Sequence, residues 1–190
     1  MFIDFDVLNK NPLEDYRLAC SITRGVVYQT EKPQLDTVEW WVKQIVANHS
    51  TLRCVRFRMM ATAKRPVVMQ LIRATKGHPQ PEVQSSRPDW TGKSRSRDPN
   101  ELISFMQDHT AESFIEMAKQ RLCSRTEADT RIFMREAVMN LKTSDIPFLK
   151  AVGYCCKPSC FWLGACPELK PCTDTKQRLY TRFIEHIEEW

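Results

Sequence analysis

Hydrophobic residues recur at helical spacing in the first quarter of the chain. Between 37 and 48 they fall three or four residues apart, at Val38, Trp41, Val42, Ile45 and Val46. This spacing puts them on one face of a helix, so the pattern predicts an amphipathic helix over about 37–48. Asp36 precedes the stretch and Glu39 follows three residues later, which is the arrangement of a capping box at a helix start.

After this helix the hydrophobic pattern changes to a period of two residues. From 53 to 59 apolar side chains alternate with mostly basic ones, which predicts a strand with one basic face. The apolar face of this strand carries Val55, Phe57 and Met59. The stretch 18–23 predicts a shorter strand earlier in the chain, and Pro66 suits the first turn of a helix that runs through Ile72.

Helices dominate the predicted second half. Residues 76–100 contain four prolines and two glycines, which forbid regular structure over most of that stretch. Beyond it, starting at Asp98-Pro99, the spacing predicts helices near 99–107, 111–122, 126–142 and 175–188. Ser124 or Thr126 can cap the third of these helices. Pro147 marks a break before a cysteine-rich stretch, and the fold class is α/β or α+β.

The composition is that of a globular protein. The chain has 190 residues, of which 42% are hydrophobic and 27% charged, and this suits one domain or a domain with an appendage. No apolar run approaches the ~20 residues of a membrane-spanning helix. The first ten residues lack the basic and apolar regions of a signal peptide, so we expect a cytoplasmic protein. No glycine-rich nucleotide loop is present among the five glycines.

The positive charge is concentrated in one segment. Residues 53–97 contain eleven Lys or Arg and only two acids, a local net charge of +9 in a chain of net charge +5. A segment of this kind favours an anionic partner, of which phosphate is the commonest. Nucleic acid is one such partner, and a solvated basic face is the other explanation.

The cysteines are the second unusual feature. Five of the eight fall between 155 and 172, and without a secretion signal such a cluster favours a metal site over a disulfide framework. The predicted metal ligands are Cys156, Cys160, Cys166 and Cys172. Four thiolates suit tetrahedral zinc or an iron–sulfur cluster. Disulfides formed on isolation and free thiols remain open as alternatives.

Three segments carry side chains suited to an anionic ligand. His49–Thr51 ends the first predicted helix, where the helix dipole also favours a histidine as a simple cap. Gln70 and Arg73 precede a loop with Ser85–Arg87, whose hydroxyl groups, backbone N–H groups and guanidinium suit a phosphate. The third segment is Arg121–Arg131, for which ordinary charge on a helix surface is an equally good explanation.

In this order the segments resemble the motifs of the flavin-dependent thymidylate synthase (ThyX) family. That family has a His-x-Ser segment before a strand, then Q-x-x-R-H-R-x-x-S-x-N-E-x-S-x-R-Y, and later an R-L-x-x-x-A-Q-x-E-I-R helix start. Some members end with C…G-x-C-P-E…C, and this chain has Cys160-Phe-Trp-Leu-Gly164-Ala-Cys166-Pro167-Glu168…Cys172. The resemblance spans about 18–172. It implies a ThyX-like fold with a small antiparallel or mixed sheet flanked by helices.

The resemblance also implies a domain organisation and an activity. Residues 1–152 would form the nucleotide-binding domain, and 153–190 a cysteine-rich tail with a C-terminal helix. The implied enzyme is a methyltransferase that moves a one-carbon unit from methylenetetrahydrofolate to C5 of dUMP or a related pyrimidine deoxynucleotide, as a methyl or hydroxymethyl group. Reduced FAD would supply the hydride and NADPH would reduce the flavin. The implied assembly is a homotetramer with sites at subunit interfaces.

The residues implied by the resemblance fall into three sets. The catalytic residues are Ser85, Arg87 and Arg121. The nucleotide contacts are Gln70, Ser85, Ser86, Arg87 and Arg121. The flavin contacts are His49, Ser50, Arg73, His78 and Glu82.

The chain departs from the family pattern mainly at the flavin site. Ala74 and Thr75 stand where the family has His and Arg, and Thr126-Glu127 replaces its Ala-Gln pair. We therefore expect a retained pyrimidine-nucleotide pocket with an altered flavin site. The alternative is a nucleic-acid-binding or non-catalytic ThyX-like protein that uses the basic 53–97 segment and a metal-bound tail.

Overall fold

The computed structural model describes residues 2–27, 36–74, 81–85, 92, 98, 100–164 and 166–167. Within these ranges the chain is α+β, with one antiparallel sheet and seven α-helices. The strands are β1 (Phe2–Val7), β2 (Arg56–Lys64), β3 (Glu82–Val83) and β4 (Leu102–Thr110). The helices are α1 (Pro12–Arg24), α2 (Val38–Ala47), α3 (Arg65–Arg73), α4 (Ala111–Arg121), α5 (Ala128–Thr143), α6 (Pro147–Cys155) and α7 (Ser159–Leu163), and Ser50–Cys54 forms a 3-10 helix. None of the helices in these ranges is long and apolar enough to cross a membrane.

The sheet has the strand order β1-β2-β4-β3, and each neighbouring pair is antiparallel. β2 and β4 pair along their whole lengths, with Met59 opposite Gln107 and Arg58 opposite Asp108. Successive residues of a strand point to opposite faces. One face of this pair is therefore buried, and the face that carries Arg58 and Asp108 is partly exposed. α3 contacts both central strands.

The helix predicted over 99–107 is wrong, because this stretch forms most of β4. Ile103, Phe105, Gln107 and His109 are buried in alternation with more exposed neighbours, which is the period of a strand. The alternation is hard to read in the sequence because two of the four inward side chains are polar. The helix-start residues Asp98-Pro99 are the clearer signal in the sequence, and they favour a helix.

The strand predicted over 18–23 is also wrong, because these residues belong to α1. Asn11 caps that helix, and its side-chain oxygen accepts a hydrogen bond from the Glu14 N–H at 3.2 Å. Pro12 occupies the first turn. The helix ends at Gly25, whose φ of +63° lies in the left-handed region that glycine adopts without strain. The signals that start this helix lie upstream of the short apolar window that suggested a strand.

The remaining predicted elements agree with the structure. The strand predicted at 53–59 corresponds to β2 from Arg56 onward, whereas Arg53 and Cys54 end the 3-10 helix. The other predicted helices correspond to α2, α3, α4 and α5, except the helix at 175–188, which lies outside the described residues. The cap of α2 is shifted by one residue: Thr37 accepts a hydrogen bond from the Trp40 N–H at 3.2 Å. Asp36, the predicted cap, accepts one from the Trp41 indole N–H at 2.7 Å.

The chain forms two compact units. The first comprises Met1–Gln34 and Asn48–Ser113, and it contains the sheet, α1 and α3. The second comprises Leu35–Ala47 and Phe114–Trp190, and it contains α2, most of α4 and the helices α5 to α7. The domain boundary at 152 stays a prediction.

In the second unit, α6 packs against both α2 and α5. The Trp41 ring of α2 meets the Phe148 ring of α6 edge to face, with centroids 5.0 Å apart. Gly153 allows α6 to approach α5 closely. A Cβ atom at this position would lie 2.9 Å from the Leu141 Cβ and 2.9 Å from the Lys142 backbone nitrogen.

Candidate functional site

The predicted flavin contacts His49 and Ser50 lie at the start of the 3-10 helix, directly before β2, and both are exposed. This element is held against α1, where the Cys20 thiol lies 3.5 Å from the Thr51 hydroxyl. Tyr16 shares hydrogen bonds with both groups, and burial raises the pKa of Tyr16 to about 12. The segment is thus anchored by Tyr16 and Cys20 of α1, while its two predicted contact residues stay exposed.

α3 carries the predicted nucleotide contact Gln70 and the predicted flavin contact Arg73. They lie three residues apart, so their side chains are neighbours on the helix surface. Gln70 is half-buried, and Arg73, the last residue of the helix, is exposed. The buried face of α3 consists of Val67, Val68 and Leu71. Ala74, which follows the helix, is buried and has no polar side chain to offer a ligand.

β3 places two further candidates beside β4. The Gln84 N–H donates to the Ser104 carbonyl at 2.9 Å, and the Ser104 N–H donates to the Gln84 side chain at 3.1 Å. These bonds hold the end of β3 against β4. Ser85 is half-buried there, and Glu82 is exposed. The predicted contacts His78, Ser86 and Arg87 lie outside the described residues.

Among the described residues of the basic segment, the arginines on β2 and next to its two ends pair with carboxylates. Arg53 pairs with Glu112 at 2.8 Å, and Arg65 pairs with Glu101. In the β2–β4 ladder the guanidinium of Arg58 holds the Asp108 carboxylate at 2.6 and 3.1 Å, which lowers the pKa of Asp108. Arg56 approaches the same carboxylate at 3.8 Å. The three acids lie outside the 53–97 segment, so part of the charge of its described residues is balanced by acids that are distant in the sequence.

Arg121, a predicted catalytic residue, lies in the second unit as the last residue of α4. Its side chain is half-buried and its Nε atom is shielded from solvent. The connection from 122 to 127 folds back on α4, because the Thr126 hydroxyl donates to the Gln120 carbonyl at 2.7 Å. The end of α4 and the start of α5 are thereby held together.

α5 is capped by Glu127 rather than by Ser124 or Thr126. The Glu127 carboxylate accepts hydrogen bonds from the N–H groups of Asp129 at 2.9 Å and Thr130 at 2.8 Å. These bonds lower the pKa of Glu127. A carboxylate also interacts favourably with the positive end of the helix dipole. The Thr126 hydroxyl is engaged by α4 and takes no part in this cap.

The predicted metal ligands are only partly within the described chain. Cys156 is buried at the end of α6, Cys160 and Cys166 are half-buried, and Cys172 lies outside the described residues. Burial raises the pKa of Cys156 well above its ordinary value and that of Cys155 to about 12. No group of three or more His, Cys, Asp or Glu side chains suited to a metal ion occurs among the described residues. The zinc or iron–sulfur site therefore stays a prediction.

Polar residues on the buried face of β4 are absent from the predicted sites. Gln107 is 1% exposed, and neither polar atom of its side chain has a hydrogen-bond partner among the described residues. His109 is equally buried, with its ring 5.8 Å from that of Phe57 and its Nδ1 3.5 Å from the Ser113 hydroxyl. The sequence pattern predicts a helix over 99–107 and therefore does not show that Gln107 and His109 share the inner face of a strand.

Replacing Gln107 with leucine is expected to raise the free energy of unfolding by about 1–3 kcal/mol. A buried polar group without a partner costs about that much, and leucine of similar size removes the cost. Thermal unfolding of the full chain measures the change. Gln120→Leu, at an exposed position of α4, is the control and should shift the midpoint little. A lower midpoint for Gln107→Leu would show that the buried amide is satisfied in solution.

The described candidates are divided between the two units. Six lie in the first unit, namely His49, Ser50, Gln70, Arg73, Glu82 and Ser85. Arg121 and the described cysteines of the predicted metal site, Cys156, Cys160 and Cys166, lie in the second. A scan against protein-family models and a search of the curated proteins find no match for this chain. Its function therefore has to be inferred from these residues.

Proposed function

We propose that this protein is an enzyme that transfers a one-carbon unit from methylenetetrahydrofolate to C5 of a pyrimidine deoxynucleotide such as dUMP, with FAD and NADPH as the source of reducing equivalents. The product carries a methyl or hydroxymethyl group at C5, and the active assembly is a homo-oligomer, a tetramer in this proposal. The observation that carries the proposal is the ordered set of motifs that resembles the flavin-dependent thymidylate synthases.

The positions of the motifs in the fold support the proposal. His49–Thr51 lies at the start of the 3-10 helix that precedes strand β2, and the His-x-Ser segment of the family likewise stands before a strand. The segment Arg121–Arg131 joins the end of α4 to the start of α5, and the family motif likewise marks a helix start. Gln70 and Arg73 are neighbours on one helix surface in the unit that also holds Ser85.

The chemistry of the described flavin candidates suits a flavin nucleotide. The Arg73 guanidinium and the Ser50 hydroxyl can donate hydrogen bonds to phosphate oxygens, and His49 can donate or accept. The exposed carboxylate of Glu82 can accept a hydrogen bond from a ribose hydroxyl or a ring N–H. Arg73 is the one permanent cation in this described set, so we expect flavin affinity to be modest. A bound flavin supplies hydride chemistry that side chains lack.

Arg121 suits the role of stabilising charge on the pyrimidine ring. Its guanidinium stays protonated throughout the working pH range, and its half-buried position reduces screening by water. C5 reacts as a nucleophile toward the one-carbon unit, and activating the ring for this attack places negative charge on C5 and on a ring carbonyl oxygen. A donor that is already oriented toward this charge lowers the barrier more than it stabilises the bound substrate.

The ion pairs of the first unit weigh against the nucleic-acid alternative. Binding to a phosphate backbone depends on Lys and Arg side chains that can release counterions. Arg53, Arg58 and Arg65 are instead held by carboxylates. These three described arginines are therefore paired with acids, which reduces the positive charge they offer to a phosphate backbone.

A titration of the full chain with FAD and then dUMP tests the proposal. We expect the visible flavin bands to shift when FAD binds and to shift again when the nucleotide is added. Turnover is then followed as release of tritium from dUMP labelled at C5, with methylenetetrahydrofolate, FAD and NADPH present. Leaving out each component in turn shows which of them the reaction requires.

The binding and turnover experiments can support the proposal or overturn it. Tritium release that depends on folate and flavin supports the proposal, and dCMP in place of dUMP defines the base. A chain that binds neither FAD nor any pyrimidine deoxynucleotide overturns it. Binding of oligonucleotides with a steep salt dependence would in that case favour the nucleic-acid alternative.

A further inference from the structure

Two cysteines of the first unit lie where α1 contacts the 3-10 helix. Cys20 belongs to α1, and Cys54 is the last residue of the 3-10 helix. Both side chains are half-buried and carry free thiols. The two residues are far apart in the sequence, so it is the fold that brings them to the same contact.

The 3-10 helix presents Cys54 on the side that meets α1. Side chains three residues apart in such a helix lie above one another, so Thr51 and Cys54 share one side of it. The Thr51 hydroxyl lies 3.5 Å from the Cys20 Sγ. One turn of a 3-10 helix rises about 6 Å. The Cys54 side chain is therefore one turn away from the group that Cys20 already contacts.

The last turn of the 3-10 helix is also tied to α1. The Asn9 side-chain amide donates to the Cys54 carbonyl at 3.1 Å and to the Asp15 carboxylate of α1 at 2.6 Å. Burial, followed by the charges of Asp15 and Cys20, raises the pKa of Cys54 to about 11. The two thiols are thus close enough to interact electrostatically, in an arrangement that is held at both ends of the short helix.

We propose that Cys20 and Cys54 form a reversible disulfide, with a low-molecular-weight disulfide such as oxidised glutathione as the oxidant. The inference goes beyond the proposed function and does not depend on it. In a reducing compartment such a bond is usually transient and senses the redox state. It would join α1 to the segment that begins with His49 and Ser50, and it would restrain that segment while the oxidant is present.

The bond forms in two thiol–disulfide exchange steps. The Cys20 thiolate attacks one sulfur of oxidised glutathione, which gives a mixed disulfide and releases one glutathione thiolate. Cys54 then gives up its proton and attacks the Cys20 sulfur, which forms the protein disulfide and releases the second glutathione. Two protein thiols are oxidised, and one glutathione disulfide is reduced to two thiols. Cys54 is assigned the second step because its thiol is mainly protonated at neutral pH, and proximity favours that intramolecular attack.

Incubation of the full chain with oxidised glutathione, followed by alkylation and trypsin digestion, tests the pair by mass spectrometry. Trypsin releases Cys20 in peptide 18–24 and Cys54 in peptide 54–56, so their cross-link has a defined mass. We expect this cross-link to form in the native chain and to disappear on reduction. It should exceed any cross-link to Cys123 by about tenfold or more, because neighbouring thiols react at a high effective concentration. Cys123 is the reference because it is a half-buried thiol of the second unit.

Single variants test the order of the steps. Cys54→Ser should stop at a mixed disulfide between Cys20 and glutathione, whereas Cys20→Ser should take up far less glutathione at Cys54. Cys123→Ser is the matched control and should form the cross-link as the wild-type chain does. Circular dichroism checks that each variant keeps its helices.

Three results would count against the inference. Recovery of Cys20 and Cys54 only as alkylated thiols or separate glutathione adducts overturns the pair. A cross-link that forms only after the chain is unfolded in urea overturns it as well, because the native contact would then play no part. Equal glutathione uptake by Cys20→Ser and Cys54→Ser overturns the assigned order of attack.

Discussion

Replacing Gly153 with alanine is expected to destabilise the second unit, although the same change stabilises an ordinary helix. In a helix interior alanine is favoured over glycine by about 1 kcal/mol. At this position the new Cβ would lie 2.9 Å from the Leu141 Cβ and 2.9 Å from the Lys142 nitrogen. Overpacking of this kind costs about 1–3 kcal/mol. One of the obstructing atoms belongs to the backbone and cannot rotate away, so we expect a net fall in the free energy of unfolding.

Urea denaturation of the full chain, followed by circular dichroism at a helix band, measures this effect. Lys150→Ala on the same helix is the control, because a substitution at a partly exposed position usually changes stability by less than about 0.5 kcal/mol. If Gly153→Ala is as stable as the wild-type chain or more so, α5 and α6 do not approach each other as closely as the structure shows.

Helix α5 could be predicted because its burial follows one helical period without interruption. α5 buries residues three or four positions apart along its whole length, namely Thr130, Phe133, Met134, Ala137, Val138 and Leu141. β4 could not be predicted in this way. Its inward face changes from apolar at Ile103 and Phe105 to polar at Gln107 and His109. In the second half of the strand the hydrophobic pattern therefore no longer indicates which side chains are buried.

The candidate site was predictable in its residue types but not in its electrostatics. A window of sequence shows that Arg53, Arg58 and Arg65 are basic, and it suggests a basic surface. Their partners lie 59, 50 and 36 residues away along the chain, brought into place by the β2–β4 pairing and by the elements at its ends. Ion pairs between residues so far apart along the chain cannot be predicted from a local window of sequence.

Arg121→Met is expected to lower the rate of dUMP-dependent tritium release by about 10²–10³-fold, the usual effect of removing one donor that stabilises transition-state charge. The loss should fall on kcat, with KM for dUMP changed little, because the proposed interaction strengthens only as charge develops on the ring.

Steady-state kinetics over a range of dUMP concentrations, at saturating folate, FAD and NADPH, distinguish these effects. Arg125→Met is the control for Arg121→Met, because it removes an exposed guanidinium from the same connection and lowers the net charge equally. Similar losses in both variants would mean that overall charge, not contact with the ring, determines the rate. Turnover of Arg121→Met within about threefold of the wild type, a difference of less than 1 kcal/mol in barrier height, would remove Arg121 from the chemistry.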